Sequence, residues 1–168
     1  YTASSMAICS GGLSYPHTGS TGFGFGVAER LGHTVIPPKP ALVPLVTESG
    51  LPKIWQGVSL DNVKAAVTSG GKKITECFGD MIFTHFGLSG PIILDISADV
   101  YDLLDAKKDV VVSINLKPAL DPAKLDNRLV REFSKGSNKT LKNVLREMLP
   151  SKMVDGFIDY CGLDNDKK

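Results

Sequence analysis

No stretch of this 168-residue sequence approaches the roughly 20 consecutive apolar residues that cross a bilayer as a helix, and no signal-peptide pattern is visible. Cysteine is scarce. Cys9, Cys77 and Cys161 are odd in number and far apart, with no Cys-x-x-Cys pair. That argues against a disulfide framework and a structural zinc, so no metal is expected, and the thiols read as reduced groups of a cytoplasmic protein. An excess of one charge is also missing. Nineteen Lys and Arg face 18 Asp and Glu, for a net charge of +1, so nothing marks a nucleic-acid or membrane surface. The short nucleotide-binding signatures are absent as well. Gly22-Phe23-Gly24-Phe25-Gly26 has the wrong spacing for Gly-x-Gly-x-x-Gly, and Gly70-Gly71-Lys72-Lys73 lacks the geometry of a phosphate loop. With Tyr1 at its start, the sequence reads as part of a longer protein whose principal nucleotide fingerprint lies elsewhere.

What is present is most concentrated between Ser10 and Gly26, a stretch with six glycines, several hydroxyls and almost no charge. The apolar run Met6-Ala7-Ile8-Cys9 precedes it, and Val27 to Leu31 follows as a short helix closed by Gly32. Strand, glycine loop and helix in that order let backbone N–H groups approach a phosphate or cofactor, because glycine has no Cβ in the way. Hydrophobic residues make up 42% of the chain and mean hydropathy is +0.03. That is ordinary for a chain able to bury one core and a small satellite.

The pattern changes twice along the chain. Residues 1–32 read as the tail of an α/β unit. Residues 33–118 read as a β-barrel-like region with one helix, 91–104. Residues 119–168 read as a small helical subdomain. In the middle region His33-Thr34-Val35-Ile36 is a short strand that Pro37-Pro38 ends, and Pro44 marks Ala41–Val46 as an edge strand. Val63, Ala65 and Val67 alternate before a tight Ser69-Gly70-Gly71 turn, and Lys72 to Cys77 returns as a hairpin. Pro91 opens the helix, with Ile93, Ile96, Ser97, Val100, Leu103 and Leu104 on one face. Val110, Val112, Ile114 and Leu116 alternate as a half-buried strand. Asp121-Pro122 caps a helix striped by Leu125, Leu129, Val130 and Phe133. Asn138 opens a second helix, which also matches a short glycosylation acceptor, with Leu141, Val144, Leu145, Met148 and Leu149 inward. Ser151 caps a third, with Val154, Phe157, Ile158 and Cys161 inward.

Several of these segments resemble one family. Ser10–Pro16, Thr18–Gly22, Leu31–Thr34 and Pro40–Leu45 are similar to the BaiN/YhiN-type NAD(P)/FAD-dependent oxidoreductases. So are the long signature Gly79–Pro91 and the pieces Asn138–Leu141 and Met148–Pro150. The resemblance implies an α+β fold: an antiparallel β-barrel-like sheet with a small helical subdomain, preceded by a short remnant of a Rossmann-type FAD domain. It implies a flavoprotein parent in which this region covers the substrate side of FAD. Hydride would pass between NAD(P)H or substrate and the flavin. The remainder of its own FAD domain would be its partner, and the isolated region would not retain FAD. Two positions depart from the family pattern: Cys9-Ser10 stands for Ala-Thr, and Phe23 stands where an Asp is common, removing a hydrogen-bond acceptor near the cofactor.

The residues that carry the cofactor expectation are Gly11, Gly12, Ser14, Tyr15, Gly19, Ser20, Gly22 and Gly24, with the three hydroxyls as donors to phosphate or ring oxygens. A mobile surface loop, with Tyr15 as a packed phenol, is the plain alternative. His85 is the one candidate for proton transfer, although a histidine among apolar neighbours is more often structural. Trp55, Phe83 and Phe86 read as core, and Lys72-Lys73 as a solvated rim. Two other functions fit the residues alone: a stand-alone anion- or nucleotide-binding module, and a structural insert that mediates domain assembly.

Overall fold

The computed structural model describes residues 2–136 and 139–164, which form two compact units, one up to Lys39 and one from Pro40 onward. In the first, a 3-10 turn at Pro16–Thr18 leads to helix α1 (Phe23–Arg30), capped by Gly22 and closed at Gly32. α1 starts earlier than expected, taking Gly24 and Gly26 out of the loop and into its first turns. The strands expected at Met6–Cys9 and His33–Ile36 do not form. Neither segment has a neighbouring strand in this unit to complete a ladder, and Pro37-Pro38 withholds two donors just beyond the second.

The second unit is built on a five-stranded antiparallel sheet of barrel-like character. Its strands are β1 (Leu45–Val46), β2 (Ser59–Ser69), β3 (Lys72–Phe83), β4 (Gly87–Ser89) and β5 (Val111–Asn115), in the order β1-β4-β3-β2-β5. β1 is the edge strand directly after Pro44, as its missing N–H requires. A short helix, α2 (Leu51–Ile54), follows it. The β2–β3 hairpin is longer than its alternation indicated. Gly70 and Gly71 both take positive φ, +54° and +74°, the conformation of a two-residue turn whose twist matches the strands. A register shift between Leu60 and Val63 is held by Asn62, whose N–H donates to Asp80 Oδ1 at 3.0 Å.

Helix α3 (Pro91–Asp105) lies on β2 and β3. It begins where a Cβ on Gly90 would stand 2.7 Å from Met81 Cα, so only glycine lets the helix start this close to the strand. Ile92, Ile93, Ile96, Ser97, Val100 and Leu103 are buried. Leu104 is exposed, contrary to the expected stripe, and Ile92 takes its place on the packed side. The main core joins these residues to Val63, Ala65, Val67, Met81 and Leu88, with Trp55 edge-on to Phe83 at 5.2 Å. Phe86 is the exception among the aromatics expected inside. It sits in the exposed β3–β4 turn, edge-on to His85. Ser97 Oγ donates to Leu94 O and accepts from Val43 N–H, tying the segment before β1 to α3.

Three helices follow: α4 (Pro122–Lys135), α5 (Leu141–Leu145) and α6 (Ser151–Tyr160). Asp121 caps α4, its Oδ1 accepting from Lys124 N–H at 2.8 Å. That bond and the Lys124 side chain hold the Asp121 carboxyl below the usual carboxylate range. Asn138 lies outside the described residues. Thr140 precedes α5, which is shorter than expected, and Ser151 is the first residue of α6 rather than its cap. α5 and α6 share a second apolar cluster of Leu145, Val154 and Ile158. α6 is anchored beneath α2: Met153 enters the main core, Lys152 Nζ donates to Gln56 O, and Gly156 packs on Trp55. Two expected inward positions fail. Cys161 is exposed, and no residue of α4 is buried, with Val130 and Phe133 both exposed. α4 turns Leu125, Arg128, Leu129 and Glu132 inward instead, leaving half its apolar stripe in solvent. No described helix is long and apolar enough to cross a membrane.

Candidate functional site

The glycine loop closes largely on itself. Gly22 N–H donates to Gly12 O at 2.9 Å, joining the two ends of the loop. At its tip, Thr18 donates to Tyr15 O through both N–H and hydroxyl, and Gly19 N–H donates to Pro16 O. Thr21 N–H donates to Gly19 O. Four amides of the loop are thus spent on its own carbonyls and do not point at a phosphate, which counts against the anion-module reading. The glycines permit close approach within the loop. A Cβ on Gly11 would stand 2.6 Å from Ser20 Oγ, one on Gly22 2.8 Å from Leu13 Cδ2, and one on Gly24 3.0 Å from Ser10 Oγ.

Beside this loop the first unit carries a cavity of about 410 Å³. One wall is Cys9, Ser10 and Gly11. The other is the face of α1 with Gly24, Phe25 and Leu31, and His33 completes the rim. His33 is held there by its N–H, which donates to Ala28 O at 3.0 Å. Apolar walls with a rim of hydroxyl, thiol and imidazole suit the edge of a flat heteroaromatic ring such as a flavin. No Lys or Arg is among the described residues lining the cavity, so this donor set does not suit a pyrophosphate.

Of the eight residues named from sequence, Gly11 and Gly24 line the cavity. Gly12 and Gly22 are joined by their hydrogen bond, and Ser20 packs on Gly11. Ser14, Tyr15 and Gly19 lie toward the loop tip and do not line it; Tyr15 is 80% exposed and is not a packed phenol. Cys9, Ser10, Phe25 and His33 line the cavity without having been singled out. The helical spacing of Phe25 and Ala28 could have found Phe25, once α1 is started at Phe23; no comparable signal marks Cys9, Ser10 or His33. In the second unit His85 is exposed at a turn held by Thr84 N–H to Gly87 O (2.8 Å) and Gly87 N–H to Thr84 Oγ1 (3.0 Å). Among the described residues no group of three or more His, Cys, Asp or Glu is placed to hold a metal ion.

Comparison with known proteins matches residues 39–168 to the family described as the HI0933-like protein barrel and H2TH domain. The chain belongs to this family. The match begins within one residue of the second compact unit, and the resemblance to the BaiN/YhiN-like flavoproteins is borne out. Among curated relatives, the chain is 34% identical over 151 residues to the ribosomal RNA dihydrouridine synthase of Escherichia coli (strain K12). It is 31% identical over 157 residues to that of Haemophilus influenzae. It is 26% identical over 159 residues to the 3-dehydro-bile acid delta(4,6)-reductase of Clostridium scindens. These alignments cover 89%, 92% and 95% of this chain but only 35%, 35% and 39% of the relatives, so the HI0933-like chain spans a little over a third of their length. The near-neutral charge, read above as evidence against a nucleic-acid partner, finds no support here, since two relatives carry ribosomal RNA in their names. Net charge is a sum, and it does not exclude a local concentration of one sign.

Proposed function

We propose that this HI0933-like chain is a working region of a flavin-dependent reductase. The reaction adds hydride and a proton across a carbon–carbon double bond conjugated to a carbonyl, and uridine in ribosomal RNA is the favoured substrate. The observation that carries the reading is the 34% identity over 89% of the chain to a ribosomal RNA dihydrouridine synthase. The bile acid reductase supports the broader chemistry. The 5,6 double bond of uracil and a 4,6-diene beside a 3-oxo group are both conjugated to a carbonyl. Each takes hydride at an electron-poor carbon and a proton at the carbon that thereby gains electron density.

Bound FAD supplies the hydride, replenished from NAD(P)H. The residues of this chain proposed to hold it are Gly11, Gly12, Ser14, Tyr15, Gly19, Ser20, Gly22 and Gly24. The cavity lining supports that assignment for Gly11 and Gly24. Their lack of side chains would let a ring approach the backbone, and Phe25 would stand beside it as an apolar wall. The hydroxyls of Ser14, Tyr15 and Ser20 are proposed as donors to cofactor oxygens. His85 is proposed to deliver the proton. Its exposed turn leaves the ring reachable by a substrate, and the Thr84–Gly87 bonds fix its backbone.

The test is nucleoside analysis by mass spectrometry of ribosomal RNA from cells lacking the gene. Dihydrouridine should fall, and should return when the gene is restored but not when His85→Gln is supplied. Unchanged dihydrouridine on deletion would contradict the RNA reading, and a bile-acid-like enone as the better acceptor in vitro would favour the small-molecule one.

A further inference from the structure

α4 carries a row of cations. Lys124, Arg128, Arg131 and Lys135 stand at i, i+4, i+7 and i+11, which places all four within about 60° of one another along about 16 Å of helix. Three of them are well exposed, Lys124 at 71%, Arg131 at 61% and Lys135 at 67%. Arg128 is half-buried and turned toward the protein, its Nε buried, so the solvent-facing row is Lys124, Arg131 and Lys135. The carboxylates beside the row are Asp121, 3.1 Å from Lys124, and Glu132, 3.0 Å from Arg131 and 3.9 Å from Lys135. Asp126 falls on the opposite side of the helix. The Lys124–Asp121 pair is exposed on both sides and contributes little, so a phosphate can take the place of that carboxylate, whereas Glu132, 17% exposed, stays beside Arg131 and Lys135 and offsets part of their charge. Five other lysines of this unit are arranged differently. Lys139 pairs with Glu147, Lys142 with Asp155, Lys64 and Lys73 with Glu76, and Lys152 is held by Gln56 O. They tie parts of the fold to one another and form no row.

We infer that the Lys124–Lys135 face of α4 is a docking ridge for the phosphate backbone of an RNA substrate. The inference rests on the RNA reading above and adds where the RNA is held. Charge complementarity is the argument. A nucleic-acid strand presents a phosphate about every 3.4 Å of axis, so a 16 Å line of cations meets several at once. Such contacts set position and affinity without reading bases. An anionic membrane is the competing occupant of a basic amphipathic helix. Here Leu125 and Leu129 are half-buried in the protein, which leaves only Val130 and Phe133 of the apolar stripe free to insert.

The experiment compares the full-length protein with its Lys124→Gln/Arg131→Gln/Lys135→Gln variant. Binding to deproteinised ribosomal RNA is followed across a salt series, with a Lys124→Arg/Lys135→Arg variant as the charge-conserving control. Each phosphate contact contributes about 0.7 (single strand) to about 0.9 (duplex) to the slope of log K against log salt. The triple variant should therefore lose about 2 to 3 units of slope and bind at least roughly tenfold more weakly at low salt. Its urea midpoint and its NAD(P)H-driven reduction of a small artificial acceptor should be unchanged, and the arginine variant should bind as wild type. An unaltered slope in the triple variant would overturn the inference. So would wild-type protein that sediments with phosphatidylglycerol vesicles but does not bind the RNA. If salt-dependent binding through α4 is found in a protein that makes no dihydrouridine, the reductase reading fails and the ridge stands. If dihydrouridine is made equally by wild type and triple variant, with equal binding, the ridge fails and the reading stands.

Discussion

The unit from Pro40 onward contains every buried apolar side chain among the described residues, and the unit up to Lys39 contains none. One is held by side-chain burial between a sheet and α3, with α6 locked on through Gly156 and Met153. The other is held by short-range backbone bonds and glycine contacts, with Met6, Phe23, Leu31 and Ile36 in solvent. The cavity suited to a ring lies in the second kind of structure, and the cation row lies on the exposed side of the first. Burial makes a scaffold. The surfaces available for chemistry are where burial is least complete.

The comparison is tested most severely by deleting apolar side chains in each unit. Ile93→Ala, at a position with 0% exposure, should cost about 2 to 5 kcal/mol. Ile36→Ala, at 85% exposure, should stay within about 0.5 kcal/mol. Urea unfolding measures both, and equal midpoints would remove the distinction.

A smaller effect is expected at the α6 anchor. A Cβ on Gly156 would stand 2.8 Å from Trp55 Nε1 and 3.1 Å from Ile54 Cγ2. Gly156→Ala should therefore cost about 1 to 3 kcal/mol and shift the emission of Trp55, the chain's one tryptophan, toward that of a wetter indole. Unchanged emission and stability would show that α6 is not locked on α2. Smaller again is Gly71→Val. With φ at +74° it should cost roughly 1 kcal/mol or more, and an unaltered urea midpoint would show a different turn.

The same division explains what was legible in the sequence. The β2–β3 hairpin and the half-buried β5 could be read because one side of each faces the core and imposes a period of two, and the diglycine turn and the Pro91 start of α3 could be read because they depend on the residues themselves. The family signatures fixed the α+β architecture. Where no face is buried, periodicity misled. Met6–Cys9 and His33–Ile36 have strand composition but no ladder, and the α4 stripe is amphipathic but only half covered. Gly22–Gly26 looked like loop because glycine disfavours a helix interior, yet α1 runs through Gly24 and Gly26. The place of Phe25 in the cavity lining was illegible for the same reason, since it depends on where that helix starts, and no comparable signal marks Cys9, Ser10 or His33.

The most direct test of the reductase proposal is the absorption spectrum of the full-length protein as purified, followed by addition of NAD(P)H and then of ribosomal RNA. The proposal predicts yellow protein whose flavin bleaches with the nicotinamide and regains its colour, under exclusion of oxygen, when unmodified ribosomal RNA is added. It also predicts that the 168-residue chain alone shows no saturable low-micromolar binding of FAD. Colourless full-length protein that fails to take up added FAD would contradict it.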